Sequence, residues 1–292
     1  MTLKSTWFVL LLSLSLDALA DRHPVTACGI DRFQFTLIPK KDVQEQVREF
    51  RPLADLLAEG LGVPVDILPA SSYDSVMDAV TTGAADMGVM GPAAYILAVR
   101  REPGLMPFAS LAMEGGPFTT EGSFYYSMLL VRADGDFHEP PDLRGASVAL
   151  GDPASTSGNL IPRALFPVTS GDGFDAFFGT LTYTGGHDRA LDALIAGRVD
   201  GAFVSSSRVD EYVRRGKVSV DELRVIWRSG PLHYDPFVFS ARLCEPVRAR
   251  VRELMMTPSP QLSRYLKNVG AKRVTPVAHQ DYQILAPLIA PR

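Results

Sequence analysis

What this 292-residue chain lacks narrows its function before any motif is read. Cysteine is nearly absent: only Cys28 and Cys244 occur, and with five scattered histidines they show no metal-ligand spacing, which argues against a structural zinc site. Basic charge is thinly spread. The formal net charge is −4 and no run of Lys and Arg exceeds two residues, so the footprint of a nucleic-acid binder is missing and none is expected as a partner. Beyond the N-terminal region, no apolar stretch approaches the ~18 residues that a membrane-spanning helix needs. The G-x-x-x-x-G-K-[ST] loop, the G-x-G-x-x-G fingerprint and the G-x-S-x-G elbow are all absent, which disfavours nucleotide hydrolysis and serine-nucleophile catalysis. No catalytic residue and no cofactor is expected.

What is present suits a folded chain of two ordinary domains, with 46% hydrophobic and 21% charged residues. The first twenty residues place Lys4 ahead of the apolar run Trp7 to Leu16 and end in Ala18-Leu19-Ala20, a small-x-small pattern. This reads as an export leader at 1–20 cleaved near Ala20, with a mature protein in the periplasm. Val25-Thr26-Ala27-Cys28 has the look of a lipobox, but Asp21, Arg22 and His23 separate Cys28 from the apolar run, so a lipid anchor there is the weaker reading. In an oxidising compartment Cys28 and Cys244 can form a disulfide, although sequence does not supply the geometry.

Strand and helix signals alternate. RFQFTLI reads as a strand, QEQVREFRPLADLLAEGLG as a helix with a glycine C-cap, and VPVDILPA as a strand again, which makes the class α/β. A helix–turn–strand unit is then used twice. With Tyr73 aligned to His187, SYDSVMDAVTTGAADMGVMG faces GHDRALDALIAGRVDGAFVS, pairing Asp74 with Asp188, Asp78 with Asp192, Gly83 with Gly197 and Asp86 with Asp200. Asp86 and Asp200 precede strands and are read as structural. Two similar lobes follow, with YYSMLLVRADGDF and LHYDPFVFSARL as crossover strands. Lobe 1 spans 21–130 plus 236–292, lobe 2 spans 131–235, and the crossovers form a hinge.

The stretch GDPASTSGNLIPRALF follows the strand ASVAL. A strand that turns through Gly, Ser and Thr into a helix offers free backbone N–H groups, a positive dipole end and hydroxyl donors, a combination suited to a tetrahedral oxyanion. Ser157 is the expected N-cap, Gly158 allows close backbone approach, and Pro162 distorts the first turns. His187, at the head of the repeated helix, can donate to an oxyanion and changes charge with pH. Tyr73, its counterpart, can offer a phenol from the other lobe.

In PLADLLAEGLGVPVDILPASSYDSVMDAVTTGAADMGVMGPAAY, DPASTSGNLIP and GGHDRALDALIAGRVDGA, the chain resembles the phosphate/phosphite/phosphonate-binding family of periplasmic solute-binding proteins. The resemblance implies a two-lobed periplasmic binding protein of type II, with a ligand clamped at the hinge and delivered to an ABC importer. Carried over by motif, Ser155, Thr156 and Ser157 would bind the phosphoryl oxygens, His187 and Tyr73 would donate from either side, Tyr125 rather than Tyr126 would join them, and Asp235 would lie near the site. Phosphonate binders place further acids after the echoed strand to receive a substrate amine; here Ser205-Ser206-Ser207 stands instead, which argues against an aminophosphonate. The expected ligand is phosphate, phosphite or a small alkylphosphonate. A sensory module of the same fold, signalling through a membrane histidine kinase, is the alternative.

Overall fold

The computed structural model describes residues 28–168 and 173–289; the expected export leader lies outside them. The first strand described is β1 (Phe33–Leu37), nearly all of it buried because β2 (Val65–Leu68) and β3 (Met87–Val89) flank it in parallel. Helix α1 (Val43–Leu61) lies between β1 and β2. The Asp42 carboxylate accepts the Glu45 amide at 2.9 Å to start it, and Gly62 ends it at a positive φ of 72°. Its apolar stripe buries Phe50, Leu53, Leu57 and Leu61 at helical spacing. Helix α2 (Tyr73–Thr82) starts from a reciprocal Ser72/Ser75 capping box, and α3 (Pro92–Arg101) starts at Pro92, whose missing N–H would have had no partner there.

After β4 (Met106–Met113) the chain crosses to the second lobe through β5 (Phe124–Tyr125) and β6 (Ser127–Arg132). Strands β7 (Ser147–Leu150), β8 (Thr180–Tyr183) and β9 (Gly201–Ser205) follow, with helices α4 (His187–Ile195) and α5 (Ser206–Arg214) and then β10 (Leu223–Arg228). The return passes through β11 (Leu232–His233), which pairs with β5, into β12 (Phe237–Phe239). Helices α6 (Glu245–Met256) and α7 (Pro260–Val269) and strand β13 (Ala271–Pro276) complete the first lobe.

The six-stranded sheet has the order β13-β4-β12-β3-β1-β2 and the five-stranded sheet β10-β6-β9-β7-β8. The two share a plan. Each crossover delivers one antiparallel strand into the sheet it enters: β6 lies between β9 and β10, and β12 lies between β3 and β4. This exchange is the two-lobed α/β architecture read from the sequence, with β5–β11 as the ribbon between the lobes.

The internal echo is a structural repeat. Asp86 donates its amide to the Gln34 carbonyl and accepts the Gln34 amide on its carboxylate, both at 2.8 Å; Asp200 does the same with Ser147 at the same distances. Each aspartate locks the start of a central strand to its parallel neighbour, the structural role expected of it. Gly83 and Gly197 both turn the chain at positive φ. Cys28 is bonded to Cys244, which fixes the segment before β1 to the head of α6 and leaves no free thiol for a lipid. Among the described residues no helix is long and apolar enough to cross a membrane.

Candidate functional site

Parallel strands all point their C-terminal ends one way, and the segments leaving them carry the site. From the first lobe come Ile38 and Lys40 after β1, Tyr73 at the head of α2 and Gly91 before α3. The second lobe supplies Ser155, Thr156 and Ser157 after β7, His187 at the head of α4, and Ser205 and Ser207 at the start of α5. With Tyr125 and Tyr234 of the crossovers, and with Asp235 and Arg208, they surround about 290 Å³ of atom-free space, part of it open to solvent. Several helix N-termini thus face one cavity, and their positive dipole ends favour an anion there.

All seven residues singled out from the sequence line this cavity: Ser155, Thr156, Ser157, His187, Tyr73, Tyr125 and Asp235. Tyr126 does not; its ring lies under the Arg228 guanidinium at 3.4 Å. Local details differ from expectation. Ser155, not Ser157, is the N-cap, its hydroxyl accepting the Gly158 amide at 3.1 Å. Pro162 does distort the helix: residues Thr156–Leu160 form a wide π turn before regular helix resumes at Ile161–Leu165. Pro162 has no N–H to give the Gly158 carbonyl, which accepts the Gly151 amide at 2.9 Å instead. The close approach that Gly158 permits is therefore to Gly151, since a Cβ at 158 would meet Gly151 Cα at 3.0 Å.

Protonation states follow from burial and neighbours. Burial, the Arg208 guanidinium and the Lys40 ammonium together press His187 down to about 3, so its imidazole is neutral over the physiological range rather than pH-responsive there. Its Nε2 lies 3.4 Å from Ser157 Oγ, and its Nδ1 is buried with no hydrogen-bond partner among the described residues. That leaves no acid to orient it as a catalytic base. Burial pushes the Tyr73 and Tyr125 phenols above the usual tyrosine range, so both remain O–H donors.

Lys40 was missed in the sequence. Its ammonium is ion-paired with Asp235 and lies 5.0 Å from the Tyr234 ring centroid. Burial opposes its charge, but Asp235, Tyr234 and Tyr73 together hold it above the ordinary lysine range. The signal was its position: two lysines follow β1 after only Ile38 and Pro39, at the strand end where the other site residues cluster. Arg208 was also passed over, although it follows the Ser205-Ser206-Ser207 run; it pairs with Asp188 at 2.6 Å and with Glu211. Ser206 turns away to bond Thr119 and the Tyr126 amide.

The lobes touch through polar contacts around the cavity. Asp152 Oδ2 accepts the Tyr73 amide at 3.2 Å, Thr156 Oγ1 accepts the Ala93 amide at 2.9 Å, and the Lys40 carbonyl accepts the Asp188 amide at 3.3 Å. Nearby, Lys41 reaches Glu49 at 2.5 Å in its own lobe and Glu211 at 2.8 Å in the other, and Arg215 returns the contact to Glu49 at 3.0 Å. The carboxylates of Glu45, Glu49 and Glu211 lie within 4.8 Å of one another, but Lys41 and Arg215 sit among them, making this an ion-pair cluster.

The same folding plan occurs in solved structures. A binding-protein component of an ABC phosphonate transporter from Pseudomonas aeruginosa superposes with a TM-score of 0.79 at 18% identity, covering 88% of this chain and 85% of that one. PhnD1 of Prochlorococcus marinus, in complex with methylphosphonate, gives 0.75 at 15% identity over 88% and 97%. Among curated sequences, the phosphate-import protein PhnD of Mycolicibacterium smegmatis is 29% identical over 66% of this chain but only 61% of its own length. The phosphonates-binding periplasmic protein of Escherichia coli is 25% identical over 81% and 69%. The family described as the periplasmic substrate-binding protein of phosphonate ABC transporters matches residues 35–282, in which binding and not catalysis is the shared activity. This chain belongs to that family of periplasmic substrate-binding proteins.

Proposed function

We propose that the protein captures a small phosphorus oxyanion, namely phosphate, phosphite or an alkylphosphonate, in the cavity between its lobes and delivers it to an ABC importer. Ser155, Thr156 and Ser157 grip the oxygens with their hydroxyls and the amides of the π turn, while Tyr73, Tyr125 and the neutral His187 donate from around them. This reading keeps the lobe division expected from the sequence, 21–130 with 236–292 and 131–235, except that β6 (Ser127–Arg132) belongs to the second lobe's sheet, and it takes the exported protein to begin after Ala20. The observation that carries this reading is the convergence of helix N-termini and hydroxyls on one cavity whose only lining carboxylate among the described residues, Asp235, is already paired with Lys40. An anion entering it meets donors and no unneutralised acid.

That pairing changes the part Asp235 plays. A bare carboxylate would demand a protonated ligand oxygen; one neutralised by Lys40 admits a full dianion too. The relatives named for phosphate and phosphonate fall within this class of ligand, and import fits their names better than signalling through a kinase. A thermal-shift panel of oxyanions on the mature protein tests the reading, because a bound ligand stabilises according to its concentration over Kd. Phosphorus oxyanions are expected to raise Tm and sulfate to raise it little; no shift with any of them would refute the assignment.

A further inference from the structure

Behind the oxyanion cavity lies a second space of about 660 Å³ that shares six wall residues with it: Ile38, Lys40, Ser207, Arg208, Tyr234 and Asp235. Its far wall is apolar, built by Phe50 of α1, Leu111 and Met113 of β4, Phe237 of β12, and Tyr265 and Val269 of α7. None of these is needed to hold an inorganic anion. Tyr265 is fully buried, yet its hydroxyl has no hydrogen-bond partner among the described residues, and it lies within electrostatic reach of Glu49 and Tyr234, which line the same space. A buried hydroxyl left unpaired in an apolar chamber marks a place where a polar atom of something else belongs.

The charges around the chamber restrict what that is. Its carboxylates are all engaged: Asp235 by Lys40, Glu49 by Lys41 and Arg215, and Glu211 by Lys41, Arg208 and Arg215. An ammonium would face Lys40, Lys41, Arg208 and Arg214 with no free acid to receive it, which excludes a cationic substituent. We infer that the chamber holds the organic substituent, carrying no positive charge, of an organophosphonate, packed on Phe50, Leu111 and Met113, with Tyr265 as the partner for a terminal hydroxyl. This rests on the oxyanion reading above and deepens it: the oxygens are held in the first cavity, and selectivity among phosphonates is set in the second.

The test is calorimetry on the mature protein with phosphate, methylphosphonate, n-propylphosphonate, 3-hydroxypropylphosphonate and 3-aminopropylphosphonate. Each buried methylene adds roughly fourfold in affinity, so n-propylphosphonate should bind roughly fifteenfold tighter than methylphosphonate, and the aminopropyl ligand roughly a hundredfold more weakly than the propyl one. Leu111→Phe, which fills the chamber, should abolish the propyl advantage while keeping methylphosphonate binding. Tyr265→Phe should weaken the hydroxypropyl ligand about fivefold and leave the propyl ligand unchanged. If methylphosphonate binds but propyl gives no advantage, or if the aminopropyl ligand binds best, the chamber assignment is overturned and the oxyanion site stands. If no phosphorus ligand binds at all, the underlying reading fails and takes this inference with it.

Discussion

The hydroxyl oxygen of Thr156 in one lobe accepts the backbone amide of Ala93 in the other at 2.9 Å, so a residue of the proposed oxyanion-binding turn also caps a helix across the cleft. Under the proposed function, grip on the ligand and contact between the lobes are joined at one side chain. Thr156→Val keeps the shape, removes the hydroxyl and leaves the Ala93 amide without that acceptor, so closure should weaken by about 1–3 kcal/mol. Calorimetry should show roughly tenfold or greater loss of phosphorus-oxyanion affinity, and Thr156→Ser should restore most of it.

Lys41 links the lobes outside the cavity. It is buried between Glu49 of its own lobe and Glu211 of the other. Lys41→Met removes the cation and leaves the carboxylates to Arg215 and Arg208, which should cost about 3 kcal/mol, as loss of one partner from a buried pair usually does. The expected readout is a more open ligand-bound protein by small-angle scattering and weaker ligand binding. Glu211 is lowered to about 2, because Arg208, Lys41 and Arg215 outweigh the burial that would raise it. Its contribution to stability is therefore complete above the unfolded value near 4.5 and is lost as pH falls from there toward about 2.

The neutral His187 gives a second acid dependence with a higher window. Its folded value near 3 lies below its ordinary 6.5, so the unfolded chain binds a proton that the folded one refuses, and stability falls as pH drops below about 6.5. Between pH 7 and pH 5.5 the ligand-free protein should lose about 1 kcal/mol through this group alone. Urea unfolding of the wild type and of His187→Gln at both pH values isolates it: the variant should lose less by that amount.

The disulfide holds the start of the chain to the head of α6, 216 positions away. Closing so long a loop restricts the unfolded chain, and its removal in Cys28→Ala/Cys244→Ala should lower stability by about 2–5 kcal/mol. Neither cysteine lines the cavity, so ligand affinity at 25 °C should be unchanged. A thermal melt paired with calorimetry checks both halves.

Much of this molecule was legible because its information is local or repeated. The alternation of strand and helix, the glycine C-caps and the Ser72 cap each follow from a few neighbouring residues, and the Asp86/Asp200 echo exposed the doubled lobe. Five of the seven lining residues could be named for the same reason: Tyr73, Ser155, Thr156, Ser157 and His187 sit at helix starts, where motif and geometry coincide, while Tyr125 and Asp235 came from the family resemblance. Lys40 and Arg208 escaped because a charged residue after a strand usually faces solvent, and only the fold brings Asp235, from the far crossover, to Lys40. The shift of the cap from Ser157 to Ser155 follows from a carbonyl–amide bond between Gly158 and Gly151 that spacing alone does not reveal. The second chamber was invisible for a stronger reason, since its walls come from α1, β4, β12 and α7 at once.

The central claim is that the cavity between the lobes binds a phosphorus oxyanion through the Ser155–Ser157 turn. Calorimetric titration of mature wild-type protein and Ser157→Ala with phosphate, phosphite and methylphosphonate tests it most directly. The account predicts one saturable site per chain for at least one of these, weakened by about 1–3 kcal/mol in the variant, whose fold is preserved. Absence of binding heat with all three, or equal affinity in the variant, would contradict it.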